Sequence, residues 1–257
     1  FLRRLLEDPL LRGIDAVVLD ELHERRLGTD LALALVRRLV LDAEGPATRP
    51  DLRLIAMSAT LDAAAVGRYL GDCPVMRVPG REHPVEIEHA ATIDTRPLED
   101  QVAAAVRRLV DRGLAGDVLV FLPGTAEIRR CQRSLQAAAD RGGLDLRPLH
   151  GSLPLDEQER AIAPGPRRKI VLSTNVAETS ITLPGVVAVV DSGLARIARH
   201  ATWSGLPGLQ VAKIAKAAAI QRAGRAGRVG PGRCARLYTA FDFDHRAEAE
   251  RPEVQRA

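Results

Sequence analysis

The 257-residue sequence predicts an α/β fold: parallel sheets flanked by helices, in a partial first domain followed by a second. Three observations carry this. Short, continuous, apolar and largely β-branched runs recur along the chain. Helical apolar patterns lie between them. Strand alternating with helix is the pattern of βαβ units, in which helices cover the faces of a mostly parallel sheet.

The first run, Ala16–Leu19, leads straight into Asp20 and Glu21. From Thr29, Leu31, Leu35, Val36 and Leu39 recur at helical spacing, with Thr29 or Asp30 as the cap. Leu52–Met57 is the second strand, followed by Ser58 and Thr60. From Pro79 to Pro97 there are three prolines and no helical pattern. Val85 and Ile87 alternate there with Glu86 and Glu88, as in an edge strand within a connector. A helix from Leu98 stops at Gly113, and another from Gly124 runs to Gly142-Gly143. Val118–Leu122, Ile170–Leu172 and Val186–Val190 are further core strands. The expected division is a first-domain portion over 1–78, a connector over 79–97, a second domain over 98–245 and a link over 246–257.

Hydrophobic residues make up 46% of the chain, enough for a packed core, yet no apolar run reaches membrane-spanning length. The chain opens at Phe1 with Arg3 and Arg4 followed by Glu7 and Asp8, which is no signal peptide and reads as a piece of a longer protein. Cys73, Cys131 and Cys234 form no CxxC pair, so neither a disulfide framework nor a zinc site is expected, and the cytoplasm is the expected compartment. Aromatics at 3% argue against a module that stacks bases on aromatic platforms.

The charges are unevenly placed. Between Ser192 and Phe241 there is no acid, but there are nine basic residues: Arg196, Arg199, Lys213, Lys216, Arg222, Arg225, Arg228, Arg233 and Arg236. A one-sign block of this kind is expected to seek phosphate, with a solvated basic face as the bland alternative.

Four stretches carry candidate chemistry. Asp20 and Glu21 emerge where a buried parallel strand ends, at the ligand-binding edge of such sheets. One carboxylate there can hold Mg2+ through water, and the next can polarise the water that attacks a γ-phosphate. His23-Glu24 lacks the second histidine of a zinc protease. Ser58 and Thr60 in MSATLD can relay hydrogen bonds between sites or cap a helix. Ser173, Thr174 and Asn175 offer hydroxyls and an amide to phosphate oxygens, or another cap. In QRAGRAGRVGPG, Arg222, Arg225 and Arg228 recur every three residues behind Gln221, a spacing that shares a helical face. Such arginines can act as fingers on transition-state charge. The partner half of a nucleotide site, a GxxxxGK loop, is missing: Lys169, Lys213 and Lys216 follow Arg168, Ala212 and Ala215.

In this order and spacing, DELHERRLGTDLALAL, LIAMSATLD, VFLPGTAEI, LHGSLPLDEQERA, STNVAETSITLPGV, VVDSGLAR and QRAGRAGRVGPG resemble the DEAH/RHA class of superfamily 2 helicases, and WSGLPGLQVAKIAKA, Trp203 to Ala217, with the leucine in DELH resembles its bacterial HrpB-type branch. The resemblance implies a RecA-like fold, ATP and Mg2+ as cofactors, and RNA as the partner, with DNA left open. It gives Asp20 to Mg2+, Glu21 to general-base catalysis, and His23 to coupling of the domains near the γ-phosphate. Ser58 and Thr60 would link hydrolysis to strand movement. Gln221, Arg225 and Arg228 would reach across to the nucleotide. Gly124, Gly151, Thr174 and Asn175 would touch the RNA backbone, and a β-hairpin within Asp191–Lys216 would split or steer the duplex. The expected activity is ATP-driven 3′-to-5′ movement on RNA, exerted by the full-length protein; the chain alone, lacking the phosphate loop, is expected to hydrolyse ATP negligibly. Two rivals are a non-catalytic nucleic-acid-binding module, which needs no hydrolytic residues, and a superfamily 2 enzyme acting on DNA.

Overall fold

The computed structural model describes residues 1–42, 48–59, 63–78, 80, 83–178, 181–200 and 207–255, and the side chains of 198–200 and 207 lie outside that description. The chain forms two compact units: residues Phe1–Pro79 with Glu250–Ala257, and residues Gly80–Ala249.

The first unit contains α1 (Leu2–Glu7), β1 (Ala16–Leu19), α2 (Leu27–Leu41), β2 (Arg53–Ala56) and α3 (Ala63–Tyr69). β1 and β2 pair in parallel, Ala16 opposite Arg53 and Leu19 opposite Ala56. Val17 and Leu19 point into a core with Ala32, Val36 and Leu39 of α2, and with Leu5, Leu11 and Leu52. The expectation of fully buried strands is corrected here. Side chains alternate across a strand, so Val18 and Ile55 face the other way and are about half exposed, at 52% and 47%. The apolar stripe of α2 is also narrower than its sequence implies, because Leu31 and Leu35 are exposed.

The second unit opens with β3 (Val85–His89) and α4 (Leu98–Asp111), then β4 (Asp117–Phe121), α5 (Thr125–Gly142), β5 (Asp145–Leu149), α6 (Leu155–Ile162) and β6 (Lys169–Ser173). It continues through β7 (Val186–Asp191), β8 (Leu194–His200), β9 (Pro207–Lys213), α7 (Lys216–Gly224), β10 (Gly232–Arg236) and α8 (Ala240–Asp244). Six strands make one sheet in the order β3-β10-β7-β4-β6-β5. Every pairing in it is parallel. The stretch read as a connector thus supplies an edge strand: β3 is held by β10, and the second unit begins at Gly80.

Along β4 the side chains alternate between two cores. Val118 and Val120 join Val102 and Val106 of α4 with Ile128 and Leu135 of α5. Leu119 and Phe121 join Ala161 of α6, Ala223 of α7 and Ala226 on the opposite face. Helices on both faces explain why the strands read as continuous apolar runs. α5 ends at Gly143 with φ +60°, a left-handed cap that lets Leu144 N–H reach the Ala139 carbonyl at 2.9 Å. β8 and β9 form an antiparallel hairpin, Leu194 opposite Lys213, within the stretch where one was expected.

Candidate nucleotide and nucleic-acid sites

In the first unit the acids sit in a strained turn. Glu21 (φ +55°) and Arg25 (φ +49°) are both left-handed and flank a 3-10 turn over Leu22–Glu24. For non-glycine residues that conformation costs about 1–2 kcal/mol each. Leu22, 2% exposed, anchors the turn in the core, and its N–H donates to the Met57 carbonyl at 3.1 Å. The end of β2 is thereby tied to the turn.

His23 makes a second tie. Its side chain is 7% exposed, and Nδ1 accepts a long hydrogen bond from the Ala59 N–H at 3.4 Å. Nε2 lies 3.3 Å from Glu21 Oε2. A neutral imidazole accepts at one nitrogen and donates at the other, so acceptance at Nδ1 leaves the proton on Nε2, directed at Glu21. The histidine therefore orients the Glu21 carboxylate from the backbone of the SAT segment. Ser58 is exposed beside Ala59, and Thr60 lies outside the described residues.

Asp20 is exposed, and its Oδ1 accepts the Glu21 N–H at 2.7 Å, leaving Oδ2 directed away from that bond. Among the described residues there is no group of three or more His, Cys, Asp or Glu side chains able to hold a metal. One carboxylate with room for waters suits Mg2+, which keeps water ligands and takes the rest from phosphate.

In the second unit, Gly124 follows β4, Gly151 follows β5, and Thr174 and Asn175 follow β6. Parallel pairing brings all four to one edge of the sheet. Gly124 is extended (φ −172°), so its value lies in space: a Cβ there would stand 2.7 Å from Arg196 Nε and 3.0 Å from Glu127 Oε2. Gly151 has open space around it. Thr174 precedes a 3-10 turn without capping it through its side chain, so the cap alternative does not hold there. Asn175 is exposed.

The three arginines do not lie on one helix, because α7 ends at Gly224 and Arg225 opens a 3-10 turn, and they differ in burial. Arg222, on α7, is fully buried. Its Nε donates to Glu178 Oε2 and an Nη to Asp191 Oδ1, each at 2.9 Å, while the guanidinium lies 4.7 Å from the centre of the Phe121 ring. Arg225, 5% exposed, donates to the Ile181 carbonyl at 2.7 Å and to the Glu178 carbonyl. Arg228 is exposed and donates to Thr182 Oγ1 at 3.1 Å. The row thus grips residues 178, 181 and 182 in succession. Gln221 is half-buried beside it on α7.

Asp191 is the hub under this row. Fully buried at the end of β7, it also accepts from Tyr238 Oη at 2.8 Å and from the Gly193 N–H at 2.9 Å, fixing the base of the hairpin. Burial, reinforced by this carboxylate, pushes the Tyr238 phenol up from its ordinary range. The roles of Glu178, Asp191 and Tyr238 were missed in sequence; the available signal was an acid closing an apolar strand.

The basic block is not the open phosphate track its sequence predicts. Arg196 pairs with Glu127 at 3.7 Å, Lys216 with Glu248 at 2.6 Å, Arg233 with Glu86 at 3.1 Å, and Lys213 with Asp242. Arg236, 4% exposed, lies 4.2 Å over the Phe243 ring and donates to the Ala219 carbonyl at 3.3 Å. The Arg199 side chain is outside the described residues. Acids distant in sequence fold back onto the block.

A parallel sheet with helices on both faces, a hairpin rising from one strand end and an arginine row beside that edge has the build of a helicase core domain. The helicase conserved C-terminal domain model matches residues 101–230, half of the chain. The chain is 39% and 38% identical, over 99% of its length, to the Arabidopsis thaliana ATP-dependent RNA helicases DEAH11, chloroplastic, and DEAH12, chloroplastic. Two crystal structures from Escherichia coli, of the DEAH/RHA helicase HrpB and of the DExH-box NTPase HrpB, match at 40% identity with TM-scores of 0.87 and 0.84, each over 99% of this chain. The chain belongs to the helicase conserved C-terminal domain family, as an HrpB-like member of the DEAH/RHA class. It spans 14% of the length of those plant relatives and 32% and 31% of the two HrpB chains.

Proposed function

We propose that the chain works within a longer protein as part of an ATP-dependent RNA helicase, with Glu21 as the base that activates water. The observation that carries the reading is the Glu21–His23–Ala59 link, which orients a carboxylate at a strand end from the adjoining SAT segment. A binding module has no use for such an oriented base. Mg2+ held through Asp20 would neutralise the β- and γ-phosphate oxygens. Glu21 takes the proton of the attacking water, and His23 keeps its carboxylate aimed. Arg228 supplies positive charge to the transition state, and Gln221 and Arg225 belong to the same motif. Movement of Ser58 and Thr60 with the turn relays hydrolysis to the bound strand. RNA lies along Gly124, Gly151, Thr174 and Asn175 through its backbone, with 3′-to-5′ polarity. Backbone contact leaves DNA open as an alternative substrate. Cytoplasmic residence is part of the same proposal; the three cysteines are unpaired, and no helix among the described residues is long and apolar enough to cross a membrane.

In the longer protein, Glu21→Gln should leave nucleotide binding intact and slow hydrolysis by about 10²-fold or more. Steady-state turnover with a parallel binding titration checks this, and turnover near wild type would remove Glu21 from the role of base.

The 257-residue chain should bind single strands weakly and without sequence preference. Each phosphate neutralised on a single strand contributes about −0.7 to the slope of log K against log salt, so nine engaged cations would give about −6. Because the described cations of the block are engaged within the protein, the expected slope is shallower than about −2. Labelled RNAs of several sequences, titrated at several salt concentrations, measure it; a slope near −6 would restore the block as a phosphate track.

A further inference from the structure

α2 starts without a cap of its own, since Arg26 before it is extended and makes no side-chain capping bond. The acceptor comes from 226 positions away. Glu253 Oε2 accepts the Leu27 N–H at 2.7 Å, at the positive end of the helix. The N–H of Glu253 in turn donates to the Arg25 carbonyl at 2.9 Å. Arg25 is the left-handed residue that closes the turn opened by Glu21. Its guanidinium is held by Asp30 at 3.2 Å, so backbone and side chain are both fixed at the exit of that turn.

The same stretch also caps α7, which has no side-chain cap of its own. The Ala247 and Glu248 carbonyls accept the Lys216 and Ala217 N–H groups at 2.9 and 3.0 Å, and Lys216 Nζ meets Glu248 Oε1 at 2.6 Å.

We propose that Glu253 is a positioning residue for Glu21, holding the exit of the strained turn. This rests on the reading of Glu21 as the hydrolytic base. A left-handed turn at a non-glycine residue persists only where its surroundings over-determine it. Glu253 supplies two of those restraints, one donor and one acceptor.

The test has two arms. Hydrogen exchange is followed on the 257-residue chain as wild type, Glu253→Ala and Glu253→Gln. In Glu253→Ala the amides of residues 22–30 should exchange about tenfold faster, the scale of losing a helix cap, while those of 117–121 in the second unit stay unchanged. Glu253→Gln keeps an acceptor oxygen and should recover most of the protection. In the longer protein proposed above, Glu253→Ala should lower kcat about tenfold with the KM for ATP within about twofold, and Glu253→Gln should restore most of the rate. Unchanged exchange over 22–30 overturns the cap. Faster exchange with unchanged kcat overturns the positioning role and leaves a structural one. If Glu21→Gln turns over like wild type while Glu253→Ala still frees residues 22–30, the failure lies with the reading of Glu21 as base and not with the Glu253 cap.

Discussion

Arg228→Ala in the longer protein is expected to lower ATP turnover about 10³-fold, the scale of losing an arginine finger. The three arginines of the row are not equivalent candidates. Arg222 is spent on two carboxylates inside the protein. Arg225 is 5% exposed and bonded to two backbone carbonyls, so its removal should disturb Glu178 and Ile181 before it disturbs a phosphate. Arg228 is exposed, and its described bond is to the single hydroxyl of Thr182, a weak neutral partner that a phosphate oxygen outcompetes. RNA affinity measured without nucleotide should barely change in Arg228→Ala. The opposite pattern, loss of RNA binding and of its salt slope with hydrolysis intact, would put this arginine on the nucleic-acid track and end its assignment as a finger. Both quantities can be read on one preparation.

What the sequence made legible follows from how local each cause is. β1 was readable to the residue because four apolar positions end at an acid, and α5 because Gly143 takes a left-handed cap. α2 begins two residues before its expected cap because the group that caps it, Glu253, lies at the far end of the chain. No window around Thr29 contains that information. β10 was missed because GRCAR does not read as an apolar run; its burial comes from β3 and β7 on either side and from Phe243 under Arg236. The basic block misled for the same reason. Counting charge along the chain cannot see Glu86, Glu127, Glu178, Asp242 and Glu248 arriving from elsewhere. Asp20, Glu21 and the arginine row could be proposed from sequence because each sits within one motif. The link from His23 to Ala59 joins two motifs and needed the fold.

Arg222→Ala is expected to destabilise the second unit by about 3–5 kcal/mol, a large part of the 5–15 kcal/mol that holds a typical domain together. The side chain is fully buried, and so is Asp191, its partner at 2.9 Å. Truncation leaves the Asp191 carboxylate with Tyr238 and the Gly193 N–H but no cation, and Glu178 loses its 2.9 Å contact. A buried charge without its counter-ion is the costly outcome, more than the loss of the pair itself. Two further variants separate these causes. Arg222→Lys keeps the charge but cannot span both carboxylates with a planar fork, so it should fall between wild type and alanine. Arg222→Met combined with Asp191→Asn and Glu178→Gln removes all three charges together and should recover much of the loss. Urea unfolding of the 257-residue chain, with hydrogen exchange of the β4 and β7 amides to isolate this unit, measures all three. A cost below about 1 kcal/mol for Arg222→Ala, the scale of an exposed ion pair, would mean that the Asp191–Arg222–Glu178 network does not hold the base of the hairpin.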